Sequence, residues 1–351
     1  MTEPEPELLA PDRSMADGPV AGKQLYIAWI GFQRRAESMR QFLGFELHHV
    51  PPPFGARALK PIGYLLQAIR TARILRAARP DTVWLQSPPA ALPQLALALR
   101  YLGRRRFRIL VDGHDAAFTP PWSRFPGTVA AMNRCDRVLA HNTEMRGVAE
   151  ALGIAPERLR VLEDPPPRLD LVARPPTPET AAETETAPYV LVPCSFGADE
   201  RALVPMVLAA AARLPELRFK ITGRRSKAEA LGFTNAASAN VDFTDYLSLP
   251  DFEALLAGAA VVLGITTRQN SQLSVANEAL GAHCALVLSD TPTLRAIFGA
   301  AALFARNDPE SFAETLAEAV ASRDALRARS EALKIRRRSS WLAEARAASG
   351  I

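Results

Sequence analysis

Short apolar runs that end in polar, often glycine-bearing loops and then give way to helical periodicity recur along most of this chain. That alternation implies a parallel sheet wound with helices on both faces. From Gln24 onward LYIAWI, ELHHV, TVWLQ, FRILVD and RVLAH read as strands, and YVLVP, RFKITG, NVDFT, VVLGIT, ALVLS and AALFA repeat the pattern in the second half. Residues 164–188, DPPPRLDLVARPPTPETAAETETAP, are rich in Pro, Thr and Glu with hardly any large apolar side chain, as in an exposed linker. The chain therefore divides into a disordered tail (1–22), a first domain (23–163), the linker (164–188), a second domain (189–330) and a final helical segment (331–351). That last segment either crosses back to the first domain or packs only on its own.

Composition narrows the function classes. A hydrophobic share of 48% with 23% charged residues over 351 positions supports two domains with real cores. The formal charge of +5 permits attraction to anionic ligands or lipid headgroups without calling for nucleic acid, and no nucleic-acid partner is expected. Cys135, Cys194 and Cys284 lie far apart and form no metal-binding pattern, which suits buried packing roles in a reducing, cytoplasmic setting with no structural metal. The tail has neither the basic start nor the apolar centre of a secretory signal. The best candidate for a spanning helix, Ala90 to Leu102, is broken by Pro93, Gln94 and Arg100, so the protein is expected to be soluble, at most peripheral to the inner face of a membrane. Arg70, Arg73, Arg76 and Arg79, and the cluster Arg104, Arg105, Arg106 and Arg108, are either solvated faces or contacts to anionic lipid.

Val261 to Leu288, VVLGITTRQNSQLSVANEALGAHCALVL, carries the strongest functional signal. A β-branched run ends in Thr266, Thr267, Arg268, Gln269, Asn270 and Ser271, where a strand's carboxyl end meets solvent. With Asn270 or Ser271 as cap, the following helix offers free N–H groups and a positive dipole end to a phosphate, and Arg268 adds a charge. Glu278 comes eight positions after Asn270, about 12 Å along a helix axis, so the two side chains are placed to hold opposite ends of one elongated ligand. An ordinary capped helix with a solvated glutamate accounts for the same residues.

This segment resembles the donor-binding motif of GT-B glycosyltransferases of the large family-four type, E-x7-E, continued here by Glu-Ala-Leu-Gly at positions 278–281. In that family the second Glu holds the ribose of a nucleotide sugar and the first meets the sugar hydroxyls. Asn270 stands in the first place here, which keeps a hydrogen-bonding group and loses the charge. The resemblance implies an α/β protein of two doubly wound, Rossmann-like domains facing a cleft.

Other strand ends fit the same scheme. After LYIAWI come Gly31, Phe32, Gln33, Arg34 and Arg35, a loop that in GT-B transferases touches acceptor and donor diphosphate; paired arginines here also suit plain surface. LVDGHDAAF places Asp112, His114 and Asp115 together, and two carboxylates flanking an imidazole can fix its tautomer and shift its pKa. The loop resembles the family-four loop whose His sits beside the reacting sugar, while a structural hydrogen-bonding role stays open. His48, His49, His141 and His283 are read as structural. YVLVP leads into Cys194, Ser195, Phe196 and Gly197, and Arg201 occupies the family's diphosphate-neutralising position. Ala202 replaces the second basic residue usual there, which shifts weight to Arg224 and Arg225, following Gly223, and to Arg268. VDFTDYLSL, from Val241, resembles the base-binding strand and loop.

The resemblance implies a hexosyltransferase-like enzyme that moves a sugar from a nucleotide-sugar donor to an unidentified acceptor, with envelope or exopolysaccharide glycans and a lipid-linked acceptor as candidates. It further implies retention of anomeric configuration, no metal and no cofactor. The donor set is Ser195, Arg201, Gly223, Arg224, Thr267, Arg268, Ser271, Gln272 and Glu278; the catalytic set is Asp112, His114 and Asn270; the acceptor side is Gly31, Gln33 and Arg34. A nucleotide-sugar epimerase or hydrolase of the same fold, and a catalytically silent donor-binding subunit, remain as alternatives.

Overall fold

The computed structural model describes residues 22–103, 106–169 and 188–350. The proposed tail but for its last residue, most of the linker, and Arg104 and Arg105 lie outside them. The first domain runs β1 (Gln24–Ala28), α1 (Arg34–Leu43), β2 (Glu46–His49), α2 (Lys60–Ala78), β3 (Thr82–Ser87), α3 (Ala91–Leu102), β4 (Arg108–Gly113), α4 (Thr128–Arg134), β5 (Arg137–Ala140), α5 (Thr143–Ala151) and β6 (Leu159–Val161). The second runs β7 (Tyr189–Val192), α6 (Ala198–Ala212), β8 (Arg218–Ile221), α7 (Arg225–Ala230), α8 (Phe233–Ala236), β9 (Val241–Phe243), α9 (Leu249–Gly258), β10 (Val261–Gly264), α10 (Ser274–Gly281), β11 (Ala285–Ser289), α11 (Pro292–Phe298), β12 (Ala302–Ala305), α12 (Pro309–Ala321) and α13 (Arg323–Ser349).

Each domain holds one six-stranded parallel sheet, in the orders β2-β1-β3-β4-β5-β6 and β12-β11-β10-β7-β8-β9. Strand order reverses beside β1 in the first sheet and beside β7 in the second, and ligands of such sheets bind at the carboxyl ends next to these reversals. β3 and β11 are buried along their whole length, as strands covered on both faces must be. Leu25, Ile27, Val83 and Val111 pack on one face of the first sheet, and Val190, Val192, Val261 and Leu263 on one face of the second. β6 escaped the sequence reading because three residues, LRV, carry no periodicity; its ladder with β5 supplies the order.

Helix α13 joins the two domains. Its first half packs on the second domain through Leu326 and Leu333, while Trp341, Ala345 and Ala348 belong to the core beneath the first sheet. The Trp341 indole N–H donates to the Glu163 carbonyl at 2.8 Å, and its ring meets Phe42 at 5.2 Å. Arg337 donates to Asn277 of α10 at 2.9 Å and to Glu163 at 3.0 Å, so one guanidinium ties the second domain to the end of the first. No helix of the described residues is long and apolar enough to cross a membrane.

Candidate functional site

The loop after β1 and the start of α1 hold three consecutive polar residues, Gln33, Arg34 and Arg35, each with a different task. Gln33 caps α1: its side-chain oxygen accepts from Ala36 N–H at 2.8 Å. That fixes the amide so that its NH2 faces His114 Nε2 at 2.6 Å, which makes Nε2 the acceptor and places the imidazole proton on Nδ1. Arg34 reaches across to the second domain, donating from Nε to Glu278 at 2.5 Å and from Nη1 to Glu253 at 2.9 Å. All three side chains are about nine-tenths buried. Burial raises the Glu278 pKa above the ordinary glutamate value, and Arg34 offsets only part of that rise.

Arg35 turns inward. It grips Asp112 at 2.9 and 3.1 Å, pairs with Asp164 and donates to the Leu162 carbonyl at 2.8 Å. The Tyr26 hydroxyl completes the Asp112 shell at 2.6 Å. Burial alone would raise the Asp112 carboxyl, but Arg35, with His141 and His114, holds it well below the usual carboxylate range. His114 responds oppositely: burial first and the adjacent His141 next push its imidazole down to about 3, against the pull of Asp112. It is therefore a neutral hydrogen-bonding group throughout the physiological range.

His141, read from sequence as structural, packs edge-on to His114 at 4.4 Å and stands 3.6 Å from Asp112. Asp112, His114 and His141 bring ligand-type atoms within 4.8 Å of one another, yet any cation entering there would meet the Arg35 guanidinium already on Asp112.

The loop from Thr266 to Leu273 departs from the sequence reading. Helix α10 begins at Ser274 behind Leu273, with no side-chain cap, so neither Asn270 nor Ser271 caps it and its amino end does not coincide with Ser271. The loop instead lies against the first domain: the Asn270 carbonyl accepts from Asn142 at 2.8 Å, Ser271 Oγ donates to Asp115 at 3.2 Å, and Gln272 accepts from Asp164 N–H at 3.4 Å. Asp115 thus spans the cleft instead of flanking His114. Thr267 and Arg268 are exposed, and Arg268 leans toward Asp199 at 3.6 Å.

The loop after β7 holds a carboxylate of its own. Glu200 accepts from Ser195 N–H at 3.0 Å, Ser195 Oγ at 2.8 Å and Gly197 N–H at 2.8 Å, so the donors expected to greet a phosphate are already taken. Arg201 is exposed and is not part of the cavity wall.

A cavity of about 450 Å³ opens between the domains, with Phe32 and Arg34 on one side and Ser195, Gly223, Arg224, Lys227, Tyr246 and Glu278 on the other. Gly223 has φ +106°, and a methyl group there would collide with the Cys194 carbonyl, so the turn that opens the cavity needs glycine. Asp245, also left-handed at φ +66°, accepts from the N–H groups of Arg225 at 2.9 Å and Tyr246 at 2.7 Å and so presents Tyr246, three-quarters exposed, at the rim. The Arg224 guanidinium lies 5.8 Å from its ring centre. Lys227, absent from the sequence reading, donates to the Ser195 carbonyl at 3.2 Å on the cavity wall. A wider groove of about 1200 Å³ lies at the opposite, amino end of the first sheet among Arg100, Arg106, Arg134 and Arg158. It is remote from both strand-order reversals, so the interdomain cavity is the candidate site.

Comparison with known proteins agrees with this architecture. Residues 25–164 match the Glycosyltransferase Family 4 model and residues 201–349 a glycosyl transferase-like model. No protein of curated function matches the sequence. Among solved structures, HepE of Anabaena in complex with UDP-glucose superposes with a TM-score of 0.70 at 11% identity, covering 94% of this chain and 100% of that one. Sucrose-phosphate synthase from Thermosynechococcus elongatus gives 0.67 at 12% identity over 92% and 96% of the two chains. The UDP-forming α,α-trehalose-phosphate synthase from Burkholderia vietnamiensis gives 0.61 at 17%, over 85% and 81%. At these identities the likeness is one of fold.

Proposed function

We propose that this chain, which has the GT-B fold and whose first domain matches the Glycosyltransferase Family 4 model, transfers a hexose from a uridine diphosphate sugar to an acceptor entering from the first domain. The observation that carries the reading is the interdomain cavity, which sets a buried carboxylate, Glu278, beside two cations, Arg224 and Lys227, at the strand-order reversal. Glu278 accepts from the ribose hydroxyls, Tyr246 covers the base, and Arg224 and Lys227 meet the charge that grows on the diphosphate as the glycosidic bond lengthens. Because side-chain cations take that charge, the reading calls for no metal and no cofactor, and it follows the family in retaining anomeric configuration. His114, neutral and oriented by Gln33, donates from Nδ1 toward the sugar; Asp112 acts beneath it as a positioning residue. In this reading Asn270 and Ser271 serve the donor sugar from the loop that Asn142 and Asp115 hold, and Gly31 and Gln33 serve the acceptor. Three buried thiols, each with its pKa pushed up to about 12, suit a reducing, cytoplasmic setting. Glycan assembly on a lipid-linked acceptor is the role this arrangement favours.

Asn270 in place of a carboxylate favours one second reading, a donor-binding subunit without turnover. Incubating pure protein with UDP-glucose and related nucleotide sugars, with and without envelope lipid extract, separates the two. Acceptor-dependent release of nucleoside diphosphate supports the transferase. Binding without release under every acceptor condition supports the silent subunit, and release without acceptor marks a hydrolase.

A further inference from the structure

Helix α2 is apolar on both sides, and only one side is covered. Gly63, Gln67, Thr71 and Leu75 form its buried face. On the opposite face Ile62, Leu65, Leu66 and Ile69, spaced at one helical turn, are 52, 60, 44 and 41% exposed. Isolated exposed side chains are ordinary, but four contiguous ones on a single face form a patch that water solvates at a cost. Further along, the same face turns basic: Arg70 and Arg73 are exposed, and neither forms an ion pair among the described residues. At its other end the helix abuts the cleft mouth. Pro53 lies against Gly63, Pro51 lies beside Gly31, and exposed Phe54, Ile30 and Phe32 carry apolar surface to the rim of the donor cavity, which Phe32 lines.

We propose that this face of α2 rests on an anionic lipid surface. Ile62, Leu65, Leu66 and Ile69 enter the boundary between headgroups and acyl chains, and Arg70 and Arg73 meet lipid phosphates, which sets the mouth of the cleft against the bilayer. Charge selects this occupant over a second copy of the chain. The helix has three arginines, one lysine and no carboxylate, so pairing it with itself opposes like charges, whereas an anionic bilayer complements both halves of the stripe. Such docking extends the transferase reading by giving a lipid-linked acceptor its route into the cleft, while the apolar and basic stripe of α2 is the same whatever the cleft binds.

Full-length protein is mixed with vesicles of phosphatidylcholine alone or with added phosphatidylglycerol, and the sedimented fraction is measured. Binding is expected only with the anionic vesicles. Arg70→Gln and Arg73→Gln each lower partitioning about fivefold, and Leu65→Gln combined with Ile69→Gln lowers it by more than about tenfold. These side chains are exposed, so thermal unfolding and UDP-glucose binding stay at wild-type values. Protein that remains in the supernatant, sediments equally with neutral vesicles, or sediments undiminished in the variants overturns the proposal. So does a dimer in sedimentation equilibrium that the Leu65/Ile69 variant dissociates. Vesicle binding is read without donor or turnover, so its failure leaves the transferase reading intact. Loss of UDP-glucose binding, conversely, leaves this surface intact.

Discussion

Replacing Glu278 with alanine removes a carboxylate whose two oxygens have different neighbours. Oε1 takes the Arg34 guanidinium at 2.5 Å, while Oε2 makes no hydrogen bond among the described residues, and the residue lines the cavity. A ribose hydroxyl therefore binds Oε2 without first displacing Arg34, and the loss on mutation is that of one hydrogen bond to a charged acceptor, about 1.5 to 3 kcal/mol. This converts to a roughly ten- to hundredfold weaker Kd. Arg34 keeps Glu253 at 2.9 Å in the variant, so no charge is stranded and the fold persists. Isothermal titration with UDP and with UDP-glucose should show the same loss for both, since they share the ribose. Because the raised pKa of Glu278 lies above the ordinary glutamate value, wild-type affinity should begin to fall at a higher pH than a free glutamate would dictate, and the variant should lack that dependence. A folded variant that binds within about twofold of wild type refutes the ribose assignment.

Arg34→Ala strands Glu278 and Glu253 together, and breaking a buried pair of this kind costs about 3 to 5 kcal/mol. Burial already raises the Glu278 carboxyl and the loss of Arg34 removes what offsets that rise, so the deficit should be largest at neutral pH and shrink on acidification, as denaturant melts across pH will show. His114→Ala should reduce kcat about 10- to 100-fold with little change in donor Kd, and wild-type turnover would remove His114 from the mechanism. The same variant tests linkage. An imidazole held at about 3 when folded and near 6.5 when unfolded withdraws stability as pH falls from 6.5 toward 3, so the variant's stability should vary less over that window. Gly223→Ala, forced against the Cys194 carbonyl, should weaken donor binding and lower Tm together.

Features that lie within one strand, loop and helix were legible from residue types: β10 shows as an apolar β-branched run, Gly223 and the loop holding His114 follow strand ends where hydrophobic patterning gives way to polar residues, and Glu278 sits in the helix after β10. Partnerships between distant segments were not. Arg34 and Glu278 are 244 positions apart, and nothing local to either names the other. Glu253 reads in sequence as one polar residue on an amphipathic helix, and only the cleft shows it facing Arg34. The start of α10 was misplaced for a similar reason. Asn270 and Ser271 are good caps by residue type, but Asn142 and Asp115 of the other domain claim that loop, and the helix begins only after Leu273, which packs behind Gly264. His141 looked like a strand-closing residue because its partners, Asp112 and His114, come from the neighbouring strand and the loop after it.

A crystal structure of the protein soaked with UDP-glucose shows whether a nucleotide sugar sits in the interdomain cavity. The ribose should lie within hydrogen-bonding distance of Glu278, with the diphosphate beside Arg224 and Lys227 and the hexose toward His114. A nucleotide bound instead in the arginine-lined groove at the amino end of the first sheet, with the interdomain cavity unaltered, would contradict that placement.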